Sequence, residues 1–265
     1  MAQSTVTLCA DDYAVHACAS QGIVALARQQ RLSATSVMSL SPRWAADAPA
    51  LRELKEQVSV GLHLDWTSDF AHAAGHGQSL ATMMWRALWG DFVAAEVRIC
   101  IERQLDAFEA HWQAPPDHVD GHQHIQQFQG IRGPLLSVLA QRYGSQLPWL
   151  RVSQVGQDDA KARIISAWGA RAFLQAAQAQ NAPCRFPLRG AYNFAGGRTS
   201  YARRMQAWLR DAAQDGGVIM CHPAQGQDPS DSIGAARAWE FEYLASDDFA
   251  HDLQQAHIQL HAGVS

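Results

Sequence analysis

The sequence has no paired-cysteine motif. Its five cysteines are scattered over 265 residues, and no two are spaced as CxxC; they are Cys9, Cys18, Cys100, Cys184 and Cys221. A disulfide framework uses an even set of cysteines, and a zinc knuckle needs closely spaced thiols. The odd, scattered set argues against both classes and predicts a protein of the reducing cytoplasm.

Long apolar runs and clusters of basic residues are also missing. No run approaches the roughly 18 apolar residues that a membrane span needs. The N-terminal Met-Ala-Gln-Ser-Thr has neither the basic nor the apolar region of a secretory signal. The 21 Lys and Arg are spread along the chain against 25 Asp and Glu, which gives a net charge of -4. We therefore expect no membrane span, no cleaved signal and no binding to nucleic acid.

The chain lacks internal repeats, low-complexity linkers and abrupt changes in composition, so we expect one domain over residues 1–265. Apolar residues make up 48% of the chain, enough for a sizeable core. Short apolar or β-branched runs alternate with helical patterns, as in 6–10, 15–30, 34–40, 45–57 and 58–64. This alternation predicts an α/β fold with a mainly parallel sheet, and the length suits a single α/β barrel. A homodimer is compatible with such a barrel.

Later segments continue the pattern. An apolar stripe predicts a helix over 91–112, with Asp91 as a possible cap, and residues 159–180 are mostly helical in pattern. Residues 68–78 are small and polar, which is typical of a loop. We expect this loop and residues 192–198 to shape substrate subsites at one end of the barrel.

We expect three tryptophans to be exposed near this predicted mouth, namely Trp66, Trp85 and Trp89. They could stack on a sugar ring, and core packing explains them at least as well.

The first apolar run, Val6 to Ala10, ends in two adjacent acids, Asp11 and Asp12. The run reads as a buried strand. Burying an unpaired carboxylate costs several kcal/mol or shifts its pKa, so a partner is required. A helix N-cap would explain one Asp but not both. A metal ion or a hydrogen-bond partner would explain the pair.

Other predicted strands also end in residues of the metal-ligand type. His63 lies in the strand 58–64, and His222 follows the strand that begins at Val218. The segment from His118 to Ile125, read as a strand running into a turn, carries Asp120, His122 and His124. The carboxyl ends of parallel strands meet at one mouth of a barrel, so these side chains are expected to converge. Two histidines and one carboxylate are a familiar set for a catalytic divalent ion.

Each residue also has an ordinary explanation. A single His63 would more often be a partly buried, hydrogen-bonded histidine. His118, His122 and His124 alternate, so in a strand all three could pack on one face, or one alone could bind a metal. His222 before Pro223 could belong to a plain turn. The coincidence of four separate segments is what favours a metal site.

Taken in order, these motifs resemble those of the YdjC-type carbohydrate deacetylases, a group that includes chitooligosaccharide and hopanoid-associated deacetylases. The matching segments are Ala10-Asp11-Asp12-Tyr13, Gly61-Leu62-His63-Leu64, His118-Val-Asp120-Gly-His122-Gln-His124, Leu150-Arg151-Val152 and Met220-Cys221-His222-Pro223. Tyr13-Ala14, Asp65-Trp66 and Gly121 depart from the residues that family members often carry, but no proposed ligand is lost.

The resemblance implies a distorted, incomplete (β/α) barrel of the polysaccharide-deacetylase type that removes N-acetyl groups from a sugar or oligosaccharide. It implies one divalent metal ion, Mg or Zn, held by Asp12, His63 and His122. Asp11 would be the general base and His222 the general acid. Arg151 would support the site or bind substrate.

Two further residues have supporting roles in this scheme. A metal-binding histidine usually donates its other ring N–H to a carboxylate, and Asp120 is the expected carboxylate. His124 would lie behind a ligand or face the substrate.

Two other functions fit parts of the pattern. A sugar isomerase or phosphoesterase would usually carry more carboxylates on late strands, where this chain has Arg151 and His222. A non-catalytic carbohydrate-binding protein would have no need of a second buried acid beside Asp12.

Overall fold

The centre of the protein is a parallel β-sheet whose strands alternate with helices along the chain. The computed structural model describes residues 4–154 and 169–262. In that part of the chain the strands are β1 Ser4–Tyr13, β2 Ala34–Val37, β3 Ser59–Leu64, β4 His118–Gly121, β5 Trp149–Arg151, β6 Cys184–Arg185, β7 Leu188–Arg189, β8 Val218–Cys221 and β9 Ile258–Leu260.

Helices lie between most of these strands. They are α1 Ala17–Arg28, α2 Trp44–Arg52, α3 Asp69–Ala73, α4 Leu80–Trp89, α5 Ala94–Trp112, α6 Arg132–Tyr143, α7 Ala170–Ala179, α8 Gly197–Asp215, α9 Gly234–Leu244 and α10 Asp247–Gln255, with a 3₁₀ turn at His122–Gln127. Among the described residues, no helix has the length and apolar character needed to cross a membrane.

The sheet is a barrel that nearly closes. Its strand order is β6-β5-β4-β3-β2-β1-β8-β7, with β9 added beside β1, and every pairing is parallel. The two outermost strands, β6 and β7, are separated in the chain only by Phe186 and Pro187. The two edges of the sheet are therefore held close together. The predicted distorted, incomplete (β/α) barrel is confirmed.

Alternation along β1 separates two apolar layers. Leu8 and Ala10 belong to the large core between sheet and helices, whereas Cys9 belongs to a smaller cluster with Trp149, Leu188 and Met220. Successive side chains of a strand point to opposite faces, so the smaller cluster fills the barrel interior. Asp11, two residues beyond Cys9, points the same way and reaches the interior at the carboxyl end of the strand.

Several predicted boundaries need correction. Residues 68–78 contain helix α3, because the Ser68 hydroxyl accepts hydrogen bonds from the N–H groups of Phe70 and Ala71. Helix α5 begins at Ala94 with Val93 at the N-cap position, so Asp91 does not cap it. The Asp91 N–H instead donates to the Arg86 carbonyl in the turn that ends α4.

Two other predictions concern segments later in the chain. The segment from His118 to Ile125, predicted as a strand running into a turn, is strand β4 up to Gly121 and the 3₁₀ turn from His122 onward, so that prediction is confirmed. Of the helix predicted over 159–180, the structure describes Ala170–Ala179, and residues 159–168 lie outside the described residues.

Candidate active site

A cavity of about 610 Å³ opens at the carboxyl ends of the barrel strands. Its walls come from loops after β1 and β3, from residues 191–194, and from the segment that leads into α9. Six of the residues singled out in the sequence line it, namely Asp11, Asp12, His63, His122, His124 and His222. The predicted convergence of strand ends therefore forms one pocket.

Asp12 is the centre of the closest cluster. Its Oδ1 lies 3.2 Å from His63 Nε2 and 3.1 Å from His122 Nδ1. The Asp12 backbone is left-handed, with φ of 66°, and the pairing of β1 with β2 shifts register between Ala10 and Tyr13. This local irregularity lets two adjacent acids, Asp11 and Asp12, both reach the pocket although neighbouring strand residues normally face opposite ways.

The residues of this cluster fit a divalent metal ion. One ligand atom from each of Asp12, His63 and His122 lies within 4.8 Å of the others. Burial alone would raise the pKa of Asp12, but Arg237 and His122 hold it well below its usual range, so the carboxylate is ionised. Burial would lower the pKa of His63, yet Asp120 and Asp11 raise it to about 10. The negative charge that holds a proton on His63 also favours a cation in its place.

Asp120 fixes the orientation of His63. Its Oδ1 lies 2.6 Å from His63 Nδ1, which leaves Nε2 directed at Asp12. The other oxygen, Oδ2, accepts from the Ser36 hydroxyl at 2.5 Å and lies 3.0 Å from Arg151 Nη1. Asp120 is fully buried, and its pKa stays below its usual range because Arg151 and His63 outweigh the effect of burial. A contact like that between His63 Nδ1 and Asp120 is usual for a metal-binding histidine.

Two other groups of side chains also bring three ligand-type atoms close together. Cys9, His118 and Asp120 surround the Ser36 hydroxyl, which is 3.3 Å from Cys9 Sγ and 3.2 Å from His118 Nε2. Hydrogen bonds to Ser36 thus satisfy this group. The third group, Asp11, His63 and Asp120, has its acids engaged by Arg151.

Arg151 forms a two-point ion pair with Asp11. Its Nη1 and Nη2 lie 2.6 Å and 2.7 Å from the two Asp11 oxygens. Arg151 is 0% exposed and does not line the cavity. Of the two roles considered for it, support of the site fits this position, and direct substrate binding does not.

His222 lies across from Asp11. Its Nε2 is 4.0 Å from Asp11 Oδ2, and its ring meets Phe194 edge-on with centroids 5.2 Å apart. The backbone N–H of His222 donates to Glu240 Oε2 at 2.6 Å. Burial outweighs the attraction of Asp11 and Asp12 and lowers the pKa of His222 to about 4, so the ring is neutral near pH 7.

His118 and His124, from the same segment as His122, do not share one strand face. His124 lies in the 3₁₀ turn with a left-handed backbone, and its Nδ1 is 2.9 Å from the Ser153 hydroxyl. His118 lies inside the barrel, stacked on Trp149 with centroids 4.3 Å apart. The chain turns at Gly121, so His118, His122 and His124 occupy three different environments.

Sequence reasoning missed two charged residues of α9. Arg237 Nη2 lies 2.7 Å from Asp12 Oδ2, and Glu240 holds the backbone of His222. Neither residue follows a strand, and the helical pattern around them gives no sign of a site. Their contacts arise because α9 crosses the pocket wall.

The tryptophans predicted near the mouth of the barrel do not line the cavity. Trp66 is buried, contrary to the expectation that it is exposed. Trp85 and Trp89 are 58% and 69% exposed, but none of the three lines the cavity. The aromatic residues of the walls are Phe70, Tyr192 and Phe194, from the two segments predicted to shape it.

A parallel, nearly closed (β/α) barrel with an acid and histidine cluster at the carboxyl ends of its strands defines a class of barrel enzyme in which chemistry occurs at that end. The sequence model of the YdjC-like protein family matches residues 5–255. The chain therefore belongs to the YdjC-like family.

Solved structures share the fold. A candidate cellobiose-phosphate cleavage protein from Enterococcus faecalis V583 has a TM-score of 0.75 and 20% identity, over 98% of this chain and 97% of that one. An uncharacterised protein from Agrobacterium tumefaciens C58 has a TM-score of 0.54 and 11% identity, over 92% and 85% of the two chains.

A third structure is a mutant of a pseudoenzyme of carbohydrate esterase family 4 with restored enzymatic activity. It has a TM-score of 0.50 and 10% identity, over 98% of this chain and 65% of that one. No sequence among the curated proteins matches this chain.

Proposed function

We propose that this protein is a metal-dependent hydrolase that removes N-acetyl groups from an N-acetylated sugar or oligosaccharide. The observation that carries the proposal is the arrangement around one pocket of Asp12, His63 and His122 beside a separate pair, Asp11 and His222. The first three side chains fit a divalent ion, and the other two are placed for proton transfer. Membership of the YdjC-like family supports a carbohydrate substrate.

Asp12, His63 and His122 would hold the ion, and Asp120 would keep His63 in the orientation that presents Nε2. When bound, a divalent ion supplies polarisation of a carbonyl group and an acidified water. Mg and Zn both remain consistent with a set of one carboxylate and two imidazoles, although imidazole ligands favour Zn.

Asp11 is the proposed general base. Arg151 binds both of its oxygens from behind, which fixes the position of the carboxylate beside the pocket. As water adds to the acetyl carbon, Asp11 accepts the proton that the water loses. A positioned base typically contributes about 10²- to 10⁴-fold to the rate.

His222 is the proposed general acid. A neutral His222 must gain a proton before it can donate one, and Asp11, whose Oδ2 is 4.0 Å from His222 Nε2, has just taken one from water. Transfer from Asp11 to His222 and then to the sugar nitrogen accompanies cleavage of the C–N bond. The products are acetate and a free amino sugar, and both carboxylate and imidazole return to their starting states.

The pocket suits a polar ring compound. Its volume of about 610 Å³ lies within the usual range of small-molecule sites. Tyr192 and Phe194 offer apolar surfaces on one side, and Ser68, Asp69 and Ser230 offer hydrogen-bonding groups on others. Sugars present both kinds of surface.

The test is incubation with N-acetylglucosamine oligomers and mass analysis of the products. The proposal predicts loss of acetyl groups with an unchanged number of sugar residues. Cellobiose and cellobiose phosphate, which carry no acetyl group, are the matched controls. Release of glucose or phosphate from these controls, with intact N-acetylated oligomers, would favour a glycosidase or phosphoesterase instead.

A further inference from the structure

Arg237 is a buried cation that joins the pocket to α9. It is 3% exposed, and it lines the cavity. Its Nη2 donates to Asp12 Oδ2 at 2.7 Å, and its Nε donates to Asp231 Oδ2 at 2.5 Å. A single guanidinium therefore bridges the proposed ligand Asp12 and a second acid at the pocket wall.

The two oxygens of Asp12 have different partners because of this bridge. Oδ1 faces the nitrogens of His63 and His122, and Oδ2 is engaged by Arg237. A carboxylate can bind a metal ion through one oxygen or through both. With Oδ2 held by a charged donor, only Oδ1 is available to complete the set with the two histidines.

Arg237 is itself held from outside the pocket. Asp231 accepts from the Ile233 N–H at its Oδ1 and from His16 at its Oδ2. His16 Nδ1 accepts from the Ala19 N–H at the start of α1, so Nε2 carries the ring proton and donates to Asp231 at 3.1 Å. The start of α1 and the segment before α9 together fix the position of the guanidinium.

We propose, on the basis of the function proposed above, that Arg237 is a positioning residue that restricts Asp12 to binding the metal through one oxygen. A catalytic metal site with three protein ligands keeps open positions for water and substrate. Binding through both Asp12 oxygens would fill one of those positions. Arg237 thus preserves room for the reaction rather than strengthening the hold on the ion.

The experiment compares the wild-type protein with the Arg237→Met variant, which keeps an unbranched apolar stem but removes charge and donors. Arg189→Met is the matched control, because Arg189 is also an arginine paired with a carboxylate, that of Asp215, and lies outside the cavity. Zn²⁺ affinity is measured by calorimetry on metal-stripped protein. The visible absorption of the Co²⁺-loaded protein is also measured, because it weakens as the number of ligands rises. Acetate release gives turnover.

In the Arg237→Met variant we expect turnover to fall at least tenfold, Zn²⁺ affinity to stay equal or increase, and Co²⁺ absorption to decrease. The Arg189→Met control should match the wild type in all three. A variant that binds Zn²⁺ tenfold more weakly, or that keeps the wild-type Co²⁺ spectrum, would overturn the proposal and leave Arg237 a purely structural residue.

The metal measurements need no substrate, so they decide the role of Arg237 even if the wild type releases no acetate. If the Arg237→Met protein does not fold, Asp231→Asn removes the outer support instead. It should change affinity and spectrum in the same directions by a smaller amount. Weaker Zn²⁺ binding in Asp231→Asn would contradict the proposal.

Discussion

Asp11 and Asp12 are neighbours in sequence with different surroundings. Asp11 is paired with Arg151 and faces His222, whereas Asp12 faces His63, His122 and Arg237. Environment, rather than residue type, separates a proton acceptor from a metal ligand in the proposed mechanism.

The separation of roles predicts the behaviour of Asp11→Asn. The variant should bind metal as the wild type does, because Asp11 is not among the three proposed ligands. Turnover should fall by about 10²- to 10⁴-fold, since an amide cannot accept the proton of water. Metal content by elemental analysis and acetate release on one preparation check both parts. An active Asp11→Asn enzyme would contradict the assignment of the base.

The ligand assignment makes a second prediction. His63→Ala and His122→Ala should each lose bound metal and turnover together, because each removes one of the three proposed ligands. The exposed His251 offers a control, and His251→Ala should retain both. Stoichiometric metal in a His63→Ala or His122→Ala preparation would show that the ion lies elsewhere.

The buried carboxyl group of Glu240 should make the free energy of unfolding depend on pH. Burial raises its pKa from 4.5 to about 7 in the folded protein. Between these values the folded state holds a proton that the unfolded state has released, so the contribution of Glu240 to stability is full below about pH 4.5. It is lost as pH rises to about 7. The total is on the order of 3 kcal/mol.

Glu240→Gln stays uncharged and should lack this loss, so its free energy of unfolding should exceed that of the wild type at pH 8. Denaturant unfolding at pH 5 and pH 8 measures the difference. Glu242→Gln, a change at an exposed position on the same helix, should behave as the wild type. An equal pH response in Glu240→Gln and the wild type would show that Glu240 is ionised throughout.

Among individual residues, the sequence pattern predicts the strand-end residues and the supporting Asp120 and Arg151, but not the partners that α9 supplies. Asp11, Asp12, His63 and His222 could be picked out because an ionisable residue at the end of an apolar run is unusual. Arg237 and Glu240 sit in an ordinary amphipathic helix, and their roles depend on how α9 packs. That packing is a long-range property, which a local pattern does not contain.

Among the secondary-structure elements, strand β4 and the turn after it show what a local sequence pattern predicts and what it does not. The sequence predicts a strand that runs into a turn over residues 118–125, and the turn begins at His122. Gln123 and His124 both have left-handed backbones, with φ of 54° and 61°. These conformations are uncommon outside glycine, so the pattern predicts the turn but not the different environments of His118, His122 and His124.

Strand β3 carries a packing requirement that predicts the effect of Gly61→Ala. A Cβ on Gly61 would lie 2.3 Å from the His118 ring, which is held between Ser36, Ser59 and Trp149. We expect a loss on the order of 1–3 kcal/mol in the free energy of unfolding, since overpacking a rigid core has this cost. The midpoint of denaturant unfolding measures it.

Gly133→Ala is the matched control, because no atom lies within 4 Å of the added Cβ and the residue is in helix α6. The control should be neutral or more stable. A Gly61→Ala protein as stable as the wild type would mean that His118 can move aside.

For the whole molecule, near closure of the barrel explains how distant segments form one pocket. Strand β1 pairs with both β2 and β8, which brings residues 11–12 beside residue 222, and β3 pairs with β4, which brings His63 beside Asp120. The alternation of strands and helices predicts the parallel sheet and the end at which the site lies, and the family resemblance implies the distorted, incomplete barrel. The walls of the pocket could not be predicted in this way, because the positions of helices α3 and α9 depend on the conformation of the loops before them.

The proposed activity is metal-dependent removal of acetyl groups from a sugar, and it can be followed by the acetate that is released. Acetate release from N-acetylglucosamine oligomers is followed with the protein as purified, after stripping with a chelator, and after addition of Zn²⁺ or Mg²⁺. We expect stripping to abolish acetate release and one of the two ions to restore it. Acetate release at the same rate from protein shown to be free of metal would contradict the proposed metal-dependent mechanism, as would absence of both metal binding and acetate release.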